Sequence, residues 1–171
     1  MAILPNEMGR PSGRLPPIDL KRWYPDPDSD LAVQIMVTRI PTMTDLRDLH
    51  WKLFWVVKME ENGGVQHIYR RFLEVVQEIG YNHLTNWGAI TQVETQNSQR
   101  TKPRKAITVM SLPQRQELER IAAGVRVEEP NGEWNCQDWI ITVLQKAEQA
   151  GLVTNNEWTA AVAWARKGGE E

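Results

Sequence analysis

Apolar and polar positions alternate most cleanly from His50 to Met59. Trp51, Leu53, Trp55, Val57 and Met59 occupy one parity, opposite His50, Lys52 and Lys58. A period of two predicts a strand with one buried face. Glu60 to Gly64 supplies turn residues, and Val65 to Tyr69 reads as the returning strand of a hairpin. Leu31 to Arg39 reads as a further strand ended by Pro41. Ala89 to Glu94 and Ala106 to Leu112 read as two more, joined by a polar, basic loop from Thr95 to Lys105. Phe72 to Ile79 fits a strand or a helix equally and ends at Gly80.

The period then changes. Pro113 opens a short helix to about Ala123, with Gly124 as its stop signal. Asn135 is suited to cap a second helix. There Cys136, Trp139, Ile140, Val143, Leu144 and Ala147 form one apolar stripe that ends before Gly151. A last helix from about Asn156 to Arg166 carries Trp158, Val162 and Ala165. Six of the ten prolines fall at Pro5, Pro11, Pro16, Pro17, Pro25 and Pro27. Residues 1–30 therefore form an arm, and residues 31–171 a single domain. The expected class is α+β: an antiparallel sheet flanked by helices, with the cysteine helix packed on the sheet.

Composition narrows the chemistry more than the fold. The 171 residues are 41% hydrophobic and 25% charged with a net charge of −2, so no global field calls for nucleic acid. The N-terminus lacks the apolar core of a signal peptide, and no stretch reaches the length of a membrane span. One cysteine excludes an internal disulfide and suits a reducing, cytoplasmic setting. Three scattered histidines and one cysteine offer no close ligand pair for a metal. No P-loop or dinucleotide fingerprint is present, so no cofactor is expected. Lys102-Pro103-Arg104-Lys105 reads as a solvated basic loop, and Asp26 to Asp30 lacks the rest of a calcium loop. The expected partner is a small-molecule or acyl substrate, with homodimerisation left open.

Cys136 is the candidate nucleophile. Asn135 as N-cap leaves it in the first helical turn among unpaired N–H groups, where partial positive charge favours the thiolate. The plain alternative is a small buried hydrophobe on the helix stripe. The base must be His50, His67 or His83. His50 opens the strongest strand, and His67, on the returning strand, is expected to face it across the hairpin. Asp138, at the third helical position, reads as the reciprocal cap of Asn135.

His50-Trp51 opening a strand, Val65-Gln66-His67 after a glycine turn, and Asn135-Cys136 opening a late helix occur in that order. This order resembles the lecithin:retinol acyltransferase-like proteins, a permuted branch of the NlpC/P60 papain-like superfamily. It is also similar to a group of small fungal proteins with a His-Trp strand and a late Cys-x-x-Trp helix. The resemblance spans about residues 48–150. It implies a permuted papain-like architecture in which Cys136 is the nucleophile, His50 its base and His67 a second polar residue orienting the imidazole. Backbone N–H groups near Cys136 and Gln137 would serve the oxyanion. Gln137, Asp138 and Trp139 stand where the acyltransferases continue Glu-His-Phe, so the resemblance does not extend to a lipid substrate. Trp51, Trp55, Trp134, Gln137 and Trp139 are the candidate substrate-binding residues. The expected function is cysteine-dependent acyl transfer on an amide, ester or thioester, by a hydrolase or transferase. The alternatives are a non-catalytic binding module with a tryptophan-lined cleft, and a biosynthetic cyclase that uses His50 without Cys136.

Overall fold

Gly63 and Gly64 take φ of 59° and 77°, a pair of left-handed residues that only glycine supplies cheaply. They close a two-residue loop between Asn62 and Val65, which pair directly and set the register of the hairpin. The computed structural model describes residues 4, 6–38, 45–95 and 102–170. Pro41, expected to end the first strand, and residues 96–101 of the basic loop lie outside the described residues.

Among the described residues seven strands follow in chain order: β1 (Leu31–Thr38), β2 (His50–Asn62), β3 (Val65–Leu73), β4 (Val76–Gln77), β5 (Leu84–Thr85), β6 (Ile90–Thr95) and β7 (Arg104–Met110). Five form an antiparallel sheet in the order β6-β3-β2-β1-β7, and β4 and β5 form a separate two-stranded unit. The ambiguous stretch Phe72 to Ile79 divides between the end of β3 and β4. The helices are α1 (Leu112–Ala123), α2 (Cys136–Gln149) and α3 (Asn155–Arg166). The class is therefore α+β, as the pattern predicts.

One sheet face carries the helices. Trp51, Leu53 and Trp55 are fully buried beneath them, and α2 packs its predicted stripe against β2. Each large apolar side chain so buried contributes about 1.5–3 kcal/mol. The alternation does not reach Met59, which is 60% exposed. Pairing with β3 slips between Val56 and Lys58, and this bulge resets which side each later residue faces.

The arm is docked. Buried Arg115 of α1 gives hydrogen bonds to the Asp26 carboxylate (2.9 Å) and to the carbonyls of Pro27 and Ser29 (2.7 and 2.8 Å). Asp26 also accepts from Trp55 Nε1 at 3.0 Å. Further towards the N-terminus, Asn86 N–H donates to Met8 O (2.8 Å) and Val127 N–H to Glu7 O (2.7 Å). At Gly9 (φ 62°) a Cβ would sit 2.2 Å from Leu84 O, so only glycine lets the arm pass there. The arm thus braces the β4–β5 unit, which forms one wall of the site described next.

Candidate functional site

Three short pieces of chain meet at the N-terminal end of β2. The first turn of α2 is fixed as predicted: Asn135 Oδ1 accepts from the Gln137 N–H (2.8 Å), and Asp138 returns a bond to the Asn135 N–H (2.9 Å). The segment Asp45–Leu49, with a 3-10 turn at Leu46–Asp48, leads into His50. Helix and segment are stitched together. Asn135 Nδ2 donates to Arg47 O (2.8 Å), and Gln137 Nε2 to Leu46 O (2.9 Å) and Leu49 O (3.0 Å). Arg47 returns the contact to Asp138, to Glu133 O (2.6 Å) and to Gln137 Oε1 (3.3 Å).

The result is a relay. Cys136, 8% exposed, donates to Leu49 O across 3.8 Å and borders the same cavity as the His50 ring. His50 Nε2 is 2.7 Å from Glu74 Oε2, which leaves Nδ1 for the thiol. Lys52 Nζ stands 3.5 Å from the same carboxylate oxygen. Burial disfavours the imidazolium, yet hydrogen bonds to Cys136 and Glu74, and the charge each can carry, raise the His50 pKa from 6.5 to about 9. Burial likewise works against the Glu74 carboxylate. The His50 hydrogen bond and the Lys52 charge win and hold it below its usual range.

This relay opens into a cavity of about 390 Å³ whose lining includes His50 and Cys136, with Val76, Gln77 and Leu84 on the β4–β5 side. That volume lies within the usual size of small-molecule sites. Beyond Arg47 lies a second cavity of about 410 Å³, bordered by Trp134 and the outer side of the first α2 turns.

Of the residues singled out from sequence, the structure brings together Cys136 and His50. His67 is elsewhere: it pairs with Glu60, ten residues beyond His50 on β2, or about 30 Å of strand. The antiparallel register is the reason, since residues near the hairpin turn cannot face the start of the first strand; β1 Thr38 is the residue paired with His50. Glu74, just past the end of β3, is the residue that bonds the His50 ring instead.

The proposed tryptophan cleft is not formed. Trp51, Trp55 and Trp139 are buried in the core between sheet and helices, and Trp139 Nε1 donates to Val125 O at 3.2 Å. Gln137 is also buried and tethers the Leu46–Leu49 carbonyls. Of the two expected oxyanion donors, the Gln137 N–H is spent on the N-cap, whereas the Cys136 N–H has no bond to a described residue. Of the five candidate binding residues, Trp134 borders a cavity, the one beyond Arg47.

Glu74 carries no motif of its own. It stands in the stretch where strand and helix patterns tie, and its tie to His50 exists only once β2 and β3 are in register. Comparison with protein-family models, curated proteins and solved structures returned no match.

Proposed function

We propose that the protein is a cysteine-dependent acyl-transfer enzyme, a hydrolase or transferase acting on an amide, ester or thioester. The observation that carries this reading is Cys136 and His50 lining one open cavity, with Glu74 bonded to the His50 ring behind them. The same relay, with its His-Trp strand and Asn-Cys helix start, supports a permuted papain-like ancestry.

In the proposed reaction the proton of Cys136 passes to His50, whose imidazolium is stabilised by Glu74. The thiolate attacks the substrate carbonyl carbon, and the carbonyl electron pair moves to oxygen. The free Cys136 N–H at the positive end of α2 is placed to receive that oxyanion. Collapse breaks the bond to the leaving amine, alcohol or thiol, which takes the proton from His50. The S-acyl enzyme remains. Water, an amine or a hydroxyl then attacks, gives its proton to His50, and restores the thiolate as the product leaves. Glu74 stays ionised throughout and holds the ring so that one nitrogen faces the sulfur.

An activated ester tests the reading. p-Nitrophenyl acetate should release nitrophenolate in a burst close to one equivalent of protein, leaving an acetyl group on the peptide containing Cys136. Cys136→Ala should abolish both. A burst that survives this substitution, or acetyl found only on lysines, would remove Cys136 from the chemistry.

A further inference from the structure

We infer that Lys52 is a positioning residue of the proposed reaction: it shares one Glu74 carboxylate oxygen with His50 and tempers the grip of that oxygen on the imidazole, so that the ring can shed its proton between half-reactions. The role in turnover rests on the acyl-transfer reading; the coupling of Lys52 to the His50 ring does not.

The β2–β3 register brings the three residues together. Leu53 pairs with Leu73 and Phe54 with Phe72. One further step along that ladder sets Lys52 opposite Glu74 and leaves His50 diagonal to it on the same side of β2. Lys52 Nζ stands 3.5 Å from Glu74 Oε2, the oxygen that lies 2.7 Å from His50 Nε2. Nζ also lies 4.6 Å from the centre of the Phe72 ring, which keeps the ammonium over the sheet. The Lys52 and Glu74 side chains are 13% and 17% exposed, so solvent screens their charges weakly.

Two cations on one oxygen compete. The ammonium draws on the charge of the carboxylate and stands within about 6 Å of the imidazolium nitrogen, which it repels. Glu74 is held ionised far below the pH at which His50 titrates. Removing Lys52 therefore leaves the carboxylate charged and takes away its competing cation. The neighbouring groups do not supply a substitute. The β1 partners of Lys52 and His50 are the uncharged Met36 and Thr38. The charged residues bordering the thiol cavity with His50 are Asp48, which is exposed, and Arg47, which is engaged with Asp138; Val76 and Gln77 of β4 carry no charge.

The second half-reaction needs this tempering. As water attacks the acyl-enzyme, its oxygen bonds the carbonyl carbon, its proton passes to His50, and the carbon–sulfur bond then breaks to free the thiolate. Only a neutral ring accepts that proton. The acyl-enzyme no longer carries the thiolate that favours the imidazolium, and Lys52 weakens the hold that Glu74 still exerts.

The test is an NMR titration of the His50 ring in the full chain and in Lys52→Met, which keeps most of the stem and removes the charge. Two positive charges about 6 Å apart, at an effective dielectric between about 20 and 80, predict a His50 pKa higher by about half a unit to two units in Lys52→Met. Lys52→Arg should keep it close to the native value, and the same rise should appear for Lys52→Met in a Cys136→Ala background, where no thiol titrates. Lys52→Gln serves if Lys52→Met fails to fold. A residue that only packs on Phe72 would leave the titration unmoved. A His50 pKa that stays or falls when the charge is removed, or that rises as far in Lys52→Arg, overturns the role. With p-nitrophenyl acetate at neutral pH, Lys52→Met should keep the burst and slow the turnover after it by about threefold or more, the gap closing as pH rises. Turnover that is unchanged, or slowed equally at every pH, also overturns it. If the pKa rises but the native chain gives no burst, the acyl-transfer reading fails while the coupling stands. If the burst is present and the pKa does not move, Lys52 fails while Cys136 stands.

Discussion

Replacing Glu74 by Gln keeps the shape of the His50 partner and removes its charge. The carboxylate oxygen lies 2.7 Å from His50 Nε2, and the Glu74 side chain is only 17% exposed, so solvent screens the pair weakly. A hydrogen bond to a charged group contributes about 1.5–3 kcal/mol. At about 1.4 kcal/mol per pKa unit, its loss lowers the imidazolium pKa by roughly one to two units. His50 should therefore titrate near 7–8 in Glu74→Gln, down from about 9 in the native chain. In the proposed mechanism the same energy is lost from thiol activation, so iodoacetamide labelling of Cys136 at neutral pH should slow by about 10–100-fold. The assay is an NMR titration of the His50 ring, run beside labelling rates resolved by mass spectrometry. A His50 pKa unchanged by the substitution, or labelling within twofold of the native rate, would refute the role given to Glu74.

His67→Ala should change labelling of Cys136 by less than twofold and unfolding free energy by no more than about 0.5 kcal/mol, because His67 is partly exposed beside the hairpin turn and its side-chain bond among the described residues is local, to Val65 O; a large loss in kinetics or in urea titration would speak for the orienting role expected from sequence. Arg115→Met breaks a buried ion pair with Asp26 and should cost about 3–5 kcal/mol, read as a lower urea midpoint together with faster proteolysis of the arm. Stability should also depend on pH through His50. Its folded pKa is raised, so its contribution is complete below the unfolded value of 6.5 and is lost as pH rises through about 9. Urea unfolding at pH 6 and pH 10 should show this loss in the native chain, and a smaller one in His50→Gln.

The sheet and its helices were legible because burial enforces periodicity. Trp51, Leu53 and Trp55 had to share a face, Gly63-Gly64 had to turn, and Asn135 had to cap. The limits of that reading are equally physical. Alternation cannot announce a bulge, so Met59 was assigned to the wrong side. Tryptophan is as useful to a core as to a pocket, and Trp51, Trp55 and Trp139 went to the core. Gln137 gave no sign that its amide would hold loop carbonyls, since those acceptors lie about ninety residues away in sequence. Cys136 and His50 could be singled out because local context marks them: a helix start for Cys136, a strand start for His50. Their third member was not, because the Glu74 contact is created by the β2–β3 register, the same register that carries His67 away.

The central claim is that Cys136 and His50 act as one unit. The direct measurement is the pH dependence of Cys136 alkylation by iodoacetamide in the folded native chain and in His50→Ala. The account predicts labelling at neutral pH that is at least tenfold slower in His50→Ala than in the native chain. Superimposable profiles, or a folded native chain whose Cys136 does not label at neutral pH, would contradict it.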